Sequence, residues 1–301
     1  MTTHANPDFD AICSELAIAE YLKMQKKKVF IVHEKPLAAM HRSLPGHRQV
    51  KVRRQPFDYD LAIVLDCAEQ GRIGEVAGIL SNKKPMINID HHLTAVSFGQ
   101  VNIIDPCASS TAEVIFEMFK SWKVRITRRI AEYLYLGILT DTGSFRYQNT
   151  TPRTHRIVAE LLGFGFSPAS FYRMAYEDLD AEGFQLIQRT IRAARYFKNG
   201  KIVFLDLSRK VLDGVNGRFD LKDKLFYVFR LMRDVEVIVI FSAISSKITR
   251  INFRSTKAVN VAAIAKIFGG GGHKAASGCM LDQNIAQAQR RVLAEISRKG
   301  I

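Results

Sequence analysis

The chain has 301 residues, of which 47% are hydrophobic and 24% charged, enough apolar material for one large domain or two ordinary ones. Its apolar runs are shorter than the roughly 18 residues of a membrane-spanning helix, and its first residues lack the basic and apolar regions of a signal peptide, so we expect a cytoplasmic protein. The four cysteines form no CxxC pair, which argues against a zinc ribbon or a disulfide framework.

Positive charge is concentrated near the end of the chain. The formal net charge is +15, and residues 201–301 contribute +10 of it, from 18 Lys and Arg against 8 Asp and Glu. A basic region attracts polyanions such as nucleic acids or nucleotides, although a solvated basic surface has the same composition.

The first half of the chain alternates short apolar runs with helical patterns. Helical spacing predicts helices over residues 11–27 and 71–80, and short apolar runs predict strands at 29–32, 61–65 and 86–89. Ser110 and Glu113 have the spacing of a capping box, which predicts the start of another helix. Strands that alternate with helices indicate an α/β fold with a mainly parallel sheet.

The second half repeats this alternation on a smaller scale. We predict an Arg-rich helix over 179–197, a turn at Asn199-Gly200, and then a strand at 202–208. Further predicted elements are a helix over 221–232, strands at 235–243 and 248–253, and helices at 260–268 and 284–297. These patterns predict a catalytic domain over 1–178, a helical linker over 179–197 and a smaller α/β domain over 198–301.

Acidic and histidine side chains stand at four places where a strand ends or a turn begins. They are His4, Asp8 and Asp10 in one segment; Asp66 after LAIVL; Asp90, His91 and His92 after MINI; and Asp141 in GILTDTGSF. The carboxyl ends of parallel strands share one edge of the sheet, so these side chains are expected to converge. Crowded carboxylates need a counter-charge, and a mixed carboxylate and imidazole set suits Mn²⁺ or a related ion. Two ions would need a bridging carboxylate and about six ligands, and His4, Asp8, Asp10, Asp66, His91 and Asp141 supply that number.

A glycine run lies inside the second domain, in the segment FGGGGHKAASG that begins at Phe268. Four glycines can bring backbone N–H groups close to a phosphate, and the segment after them is expected to begin a helix whose N-terminus favours anions. The run does not match the Walker pattern, so an NTPase is not indicated. Arg254 follows a strand-like run, where a guanidinium can bind a phosphate with two hydrogen bonds.

The order HxxxDxD, Asp66, DHH and DTGSF resembles the DHH phosphoesterase superfamily, and FRS with GGGGHKAASG resembles its DHHA1 domain. The NIID segment at 102–105 and SSTAE at 109–113 are similar to the stand-alone nanoRNase and pAp-phosphatase type. Only three residues precede His4, so the strand that comes before it in relatives is expected to be shortened.

The resemblance implies specific roles. His4, Asp8 and Asp66 would hold one Mn²⁺, and Asp10, Asp66, His91 and Asp141 the other, with Mg²⁺ or Co²⁺ as possible substitutes. Asp90 would orient its neighbours and His92 would contact the scissile phosphate. Substrate would be bound by Arg254, Ser255, Gly270, Gly271, Gly272 and His273.

The implied activity is hydrolysis of oligoribonucleotides of about two to five nucleotides, with pAp as a further substrate, and relatives suggest a homodimer. The alternatives are a phosphodiesterase for cyclic dinucleotides or pApA, and a catalytically weak module that binds nucleotides. A pyrophosphatase shares the metal motifs but lacks the GGGGH segment, and a RecJ-type nuclease needs additional nucleic-acid-binding domains.

Overall fold

The polypeptide divides into two units, Met1–Asp178 and Leu179–Ile301. The structure is a computed structural model that describes residues 1–298 apart from Asn82 and Asn216, and only the backbone of His273. Within this described part, no helix is both long and apolar enough to cross a membrane.

The first unit contains five α-helices and five strands within its described residues. The helices are α1 (Phe9–Met24), α2 (Thr111–Ser121), α3 (Arg128–Asp141), α4 (Pro152–Leu162) and α5 (Pro168–Tyr176). The strands are β1 (Ile31–His33), β2 (Val50–Val52), β3 (Ala62–Leu65), β4 (Met86–Asp90) and β5 (Val101–Ile104). The helix predicted over 71–80 is instead a 3-10 segment interrupted at Gly74, whose positive φ of 74° no continuous helix allows.

The strands of the first unit form parallel pairs, β1 with β2 and β3 with β4 and β5. The first residues of the chain lie between these two groups. Val32 N–H donates to the Met1 carbonyl, and Thr2 and Val64 form a parallel bridge. Although short, this segment therefore occupies the central position of the sheet and delivers His4 to its carboxyl edge.

The helical layer of this unit is built around α1 and α3. Both contribute fully buried side chains to one apolar core, among them Ile12, Leu16 and Leu134. Gly137 lies at their crossing, where an added Cβ would be 2.6 Å from Asp10 Oδ1 and 2.7 Å from the Ala112 Cβ. The close approach of α1, α2 and α3 at this point therefore depends on glycine.

The second unit is a six-stranded mixed sheet with the order β10-β11-β9-β8-β7-β6. Its strands are β6 (Arg195–Phe197), β7 (Ile202–Leu207), β8 (Val237–Ala243), β9 (Thr249–Ser255), β10 (Gly271–His273) and β11 (Ala276–Leu281). Its helices are α6 (Ala181–Arg192), α7 (Arg209–Val215), α8 (Leu221–Arg230), α9 (Val261–Ile267) and α10 (Ile285–Arg298). Of these strand pairs, β7 and β8 are parallel and the others antiparallel.

Two local predictions for this unit are wrong. The helix predicted over 179–197 ends at Arg192, and the last three residues form β6, which pairs with β7 because Asn199-Gly200 makes a hairpin turn between them. The glycine run does not lead into a helix. It enters the antiparallel hairpin of β10 and β11, since the backbone of Gly271 and His273 pairs with that of Gly278 and Ala276.

The predicted fold class is confirmed by this architecture: an N-terminal α/β unit with parallel strands and a smaller C-terminal α/β unit. In the segment expected to link them, α6 packs through Ile187 on the core beside β7 and β8.

Candidate metal centre

The carboxyl edge of the parallel sheet collects the acidic and histidine side chains of the first unit. His4 follows the bridging residues at the start of the chain, Asp66 follows β3, and Asp90 ends β4 with His91 and His92 directly after it. This edge is formed because the strands are parallel, so their ends meet on the same side of the sheet.

Two further carboxylates come from the beginning of α1. Asp8 is the N-cap of this helix, and its Oδ1 accepts the Ala11 N–H at 3.0 Å. Asp10 lies in the first turn and is buried, with its two oxygens accepting the N–H groups of Thr111 and Ala112 at 2.7 and 3.0 Å. The positive N-terminal end of α2 thus holds the Asp10 carboxylate in one orientation.

Asp66 lies at the centre of the cluster. Its backbone is left-handed, with φ of 53°, a conformation that aspartate tolerates better than most residues. Its Oδ2 lies 3.6 Å from His4 Nε2 and its Oδ1 lies 3.6 Å from His91 Nε2. Thr111 Oγ1 donates to Oδ1 at 2.9 Å and fixes the carboxylate.

The Asp90-His91-His92 sequence forms a small hydrogen-bonded unit. Asp90 is fully buried, and its Oδ1 accepts both the His91 backbone N–H at 2.8 Å and His92 Nδ1 at 2.7 Å. His91 Nδ1 faces the Ala108 carbonyl at 3.3 Å. That bond leaves His91 Nε2 as the nitrogen directed at the carboxylates, the tautomer that a metal-binding histidine needs.

Asp141 enters the cluster from the last residue of α3. Its Oδ2 is 3.4 Å from His91 Nε2. The chain then turns through three consecutive left-handed residues, Gly143, Ser144 and Phe145. Asn149 Nδ2 donates to the carbonyls of Asp141 and Ser109, and so ties the end of α3 to the segment before α2.

Three overlapping groups of side chains have ligand atoms within 4.8 Å of one another. One contains His4, Asp8 and Asp66, a second Asp10, His91 and Asp141, and a third Asp66, His91 and His92. All six residues expected to bind metal are therefore in one cluster, and His92 lies beside them. Carboxylate and imidazole donors in these groups could hold divalent cations.

The protonation of the cluster reflects unbalanced negative charge. Burial raises the pKa of Asp10 well above its usual range, and the neighbouring Asp66 and Asp141 raise it further. Burial also raises the pKa of Asp141, with added repulsion from Asp8 and Asp66. Asp66 differs: burial acts to raise its pKa, but the attraction of His4, His91 and His92 outweighs burial and lowers it. Such carboxylates remain ionised together only beside a cation.

The residues predicted to bind substrate lie in the second unit and are not all on one side of its sheet. Arg254 and Ser255 are neighbours on β9 and therefore point to opposite faces. The Arg254 guanidinium lies 4.7 Å from the Phe226 ring centroid, while Ser255 is buried and its hydroxyl donates to the Lys257 carbonyl at 3.1 Å.

The remaining predicted substrate residues belong to the glycine run. Gly270 packs against β11, where an added Cβ would lie 2.2 Å from the Gly278 carbonyl oxygen. Gly271 and Gly272 are in β10, and Gly272 has φ of 134°. The side chain of His273 lies outside the described residues.

Several residues that position the cluster were missed from the sequence. Thr111 lies in the SSTAE segment. Its pattern predicts the start of a helix but does not indicate that Thr111 contacts Asp66 and Asp10. Ser110 caps α2 as expected, but Glu113 does not return to the cap. It accepts from Ser109 and Thr154 instead, so the capping box is only half formed. The contacts of Thr111 with Asp66 and Asp10, and that of Glu113 with Thr154, join residues far apart in the chain and leave no spacing signal.

Comparison with known proteins finds a matching family model in each of the two units. The DHH family, N-terminal domain, matches residues 1–138, and the DHHA1 domain matches residues 200–299. The "bifunctional oligoribonuclease and PAP phosphatase NrnA" of Thermus thermophilus is 31% identical over 100% of this chain and 90% of its own length. The chain belongs to the DHH family.

Two further relatives extend this comparison. The "probable bifunctional oligoribonuclease and PAP phosphatase NrnA" of Streptococcus mutans is 29% identical over 91% of this DHH chain and 86% of its own length. The crystal structure of an exopolyphosphatase-related protein from Bacteroides fragilis superposes with a TM-score of 0.87, covering 99% of this chain and 91% of that one. At 23% identity, this second likeness concerns the fold alone.

Proposed function

We propose that this chain hydrolyses phosphate esters with two bound Mn²⁺ ions, acting on oligoribonucleotides of a few nucleotides and on pAp. The observation that carries the proposal is the three ligand groups joined through Asp66 and His91. They occur in a chain similar over its whole length to a relative named as an oligoribonuclease and PAP phosphatase.

The donors fit two ions that share one carboxylate. His4, Asp8 and Asp66 would hold one, and Asp10, His91 and Asp141 the other. Asp66 would also bind the second ion, since its Oδ1 lies 3.6 Å from His91 Nε2. The raised pKa values of Asp10 and Asp141 support this assignment, since a divalent ion would offset the burial and repulsion that cause them. When bound, such ions would activate water and place positive charge beside the phosphoryl oxygens.

The chain itself supplies proton transfer and orientation. Asp90 accepts from His92 Nδ1, which fixes the ring and makes Nε2 the nitrogen that exchanges a proton with the substrate. In this role His92 would stabilise charge on the phosphate or protonate the leaving oxygen. Asp90 acts by holding both histidines, through the His91 backbone as well as the His92 ring.

The second unit would bind the substrate's phosphates. Arg254 offers a guanidinium whose plane is supported by Phe226, and the glycine run exposes backbone where a phosphate can approach closely. Ser255 and His273 would also contact the substrate. For Ser255 this requires the hydroxyl to exchange its bond with the Lys257 carbonyl for one with substrate.

A panel of substrates tests the proposal. With Mn²⁺, the protein is expected to hydrolyse pApA, a pentanucleotide RNA and pAp, and to spare a long RNA and pyrophosphate. Turnover of c-di-AMP above pApA would favour the cyclic-dinucleotide alternative. Turnover of pyrophosphate alone, or of nothing while metal is bound, would refute the substrate assignment.

Metal binding can be tested without any activity. A ligand that binds only the native state stabilises it by RT ln(1 + [L]/Kd), about 2.7 kcal/mol at a hundredfold excess over Kd. Mn²⁺ is therefore expected to raise the melting temperature and EDTA to reverse the shift. An unchanged melting temperature, together with no metal retained after dialysis, would contradict the metal centre.

A further inference from the structure

One half of a sheet face in the second unit has no helix of that same unit over it among the described residues. The opposite face is covered by α9 and α10 across β7, β8, β9 and β11. On this face, the apolar residues of α6, α7 and α8 pack on β7 and β8, through residues such as Ile238 and Ile240, and Phe226 of α8 also contacts Arg254 of β9. We call the remainder the open half-face. Its residues are Arg250, Asn252 and Arg254 of β9, Ala276, Gly278 and Met280 of β11, and Gly271 of β10.

The strand register places these residues on one surface. Arg250, Asn252 and Arg254 pair across the ladder with Met280, Gly278 and Ala276, and paired residues project to the same side. Intervening residues such as Ile251 and Phe253 are fully buried in the opposite core. The alternation therefore gives β9 one apolar side and one cationic side.

A third cation approaches from the flanking helix. Phe226 of α8 lies beneath the Arg254 guanidinium, and Lys222 is one helical turn before it on the same side of α8. Burial lowers the pKa of Lys222, and repulsion from Arg250 and Arg254 lowers it further, against the opposing attraction of Asp220, the N-cap of α8. The Cα atoms of Arg250 and Arg254 are roughly 13 Å apart, four residues along a strand.

Three arginines elsewhere in the same unit differ from these cations because each has an acidic partner. Arg195 pairs with Asp206 at 2.9 Å, Arg209 with Asp213 at 2.9 Å, and Arg218 with Asp180 at 2.8 Å. Among the described residues, neither Lys222 nor Arg250 forms an ion pair with an acidic side chain. Three clustered cations near one carboxylate, that of Asp220, leave a local excess of positive charge, which favours binding of an anion.

The floor of the open half-face suits a ligand that lies close to the backbone. Gly278 and Ala276 present little side chain, and a Cβ added at Gly271 would meet nothing within 4 Å. The surface is therefore low around Gly271, Ala276 and Gly278, with Met280 exposed opposite Arg250 and with cations at two positions along β9. An extended ligand that carries phosphates at separate positions fits this arrangement better than one compact anion.

We propose that Lys222 and Arg250 form a second phosphate subsite, so that one nucleotide substrate is held by Arg254 at one phosphate and by this pair at a neighbouring phosphate. The inference rests on the proposed function and deepens it. It assigns as substrates short single strands that carry at least two phosphates, and gives Lys222 and Arg250 the role of selecting them.

The test compares binding of pApA with binding of ApA, which lacks the 5′-phosphate. Titrations are made in EDTA, where no turnover occurs, with the full chain and with the variants Lys222→Gln and Arg250→Gln. Arg290→Gln is the matched control, because it removes the same charge from an exposed position on α10, over the other face. Removal of a charge-assisted hydrogen bond weakens binding by roughly tenfold or more.

We expect each subsite variant to weaken pApA binding about tenfold and ApA binding less than twofold, with Arg290→Gln at the wild-type value. The dependence of log Kd on log salt should also fall in slope by about 0.7 for each phosphate that the variant no longer neutralises. The subsite is refuted if the variants bind pApA like the control, if ApA is weakened equally, or if pApA does not bind at all.

The same proteins separate this inference from the proposed function. If the variants lose the preference for pApA but wild type hydrolyses none of the panel, the subsite stands and the activity fails. If wild type hydrolyses short RNA, and Arg250→Gln has the same ratio of KM for ApA to KM for pApA as wild type, the activity stands and the subsite fails.

Discussion

The two units carry opposite, unbalanced charges in differently built sites. In the first, carboxylates and imidazoles from four separate segments meet at one edge of a parallel sheet. In the second, cations are spread along one side of a single strand and the helix beside it. Crowded carboxylates suit a metal cation, whereas clustered cations suit a phosphate, so under the proposed function each unit would bind one kind of ligand.

The construction of each site also predicts how it responds to change. The candidate metal centre depends on the close approach of α1, α2 and α3 and on N–H groups at the start of α2. A small displacement of one helix should therefore affect several of the proposed ligands together. The open half-face depends on individual long side chains, so each substitution there should remove a single interaction. The variants below test this difference.

The largest effect is expected for Asp66→Asn. Asp66 is shared by two of the ligand groups and faces three histidines, so the variant should lose both ions and at least 1,000-fold in kcat, on the order of 4 kcal/mol. Metal analysis after dialysis and turnover of pApA measure these losses. Binding of pApA in EDTA should not weaken, and a loss there comparable to that of Arg250→Gln would contradict the division between the units.

His92→Ala should lower kcat by about 10² to 10⁴ while both ions are retained. The reason is that Asp90 holds His92 through Nδ1, which leaves the ring directed to substrate in the proposed mechanism. Metal content and kcat are measured on the same sample. Because His92 also lies within ligand distance of Asp66 and His91, parallel loss of metal and activity would make it a ligand.

Gly137→Ala tests the close packing behind the cluster. The new Cβ would press on Asp10 Oδ1 and on Ala112, so we expect a loss of about 1–3 kcal/mol in the free energy of unfolding and weaker metal binding. Urea unfolding with and without Mn²⁺ measures both effects. Gly78→Ala is the control, since its Cβ meets nothing within 4 Å, and equal destabilisation of the two variants would contradict the packing argument.

The smallest effect is expected for Thr111→Val, which removes the hydroxyl that donates to Asp66 Oδ1. Loss of a bond that orients a metal ligand typically lowers metal affinity by about 10- to 100-fold, and we expect the lower figure because His4 and His91 still face Asp66. Competition with a metal-sensitive dye measures the affinity. Thr111→Ser should restore it; failure to do so would point to a packing role for the methyl group.

The sequence allowed much of the first site to be predicted and less of the second. Asp66 and the segment Asp90-His91-His92 come directly at the end of apolar strand patterns, and their chemistry can be interpreted one residue at a time. The hairpin of β10 and β11 was missed because a glycine run carries no periodicity, so its pairing depends on β9 beside it. Lys222 and Arg250 were missed because clustered cations look the same in a sequence as solvated ones.

The sequence by itself determined the alternation of strands and helices, the chemical types of the ligands and the order of the family motifs. Those features depend on local side-chain pattern, which every segment carries with it. Only the tertiary structure decided that Thr111 fixes Asp66, that Gly137 lets Asp10 approach α2, and that the described helices of the second unit leave half of one sheet face uncovered. Such features depend on distances between segments remote in the chain, and packing alone sets those distances.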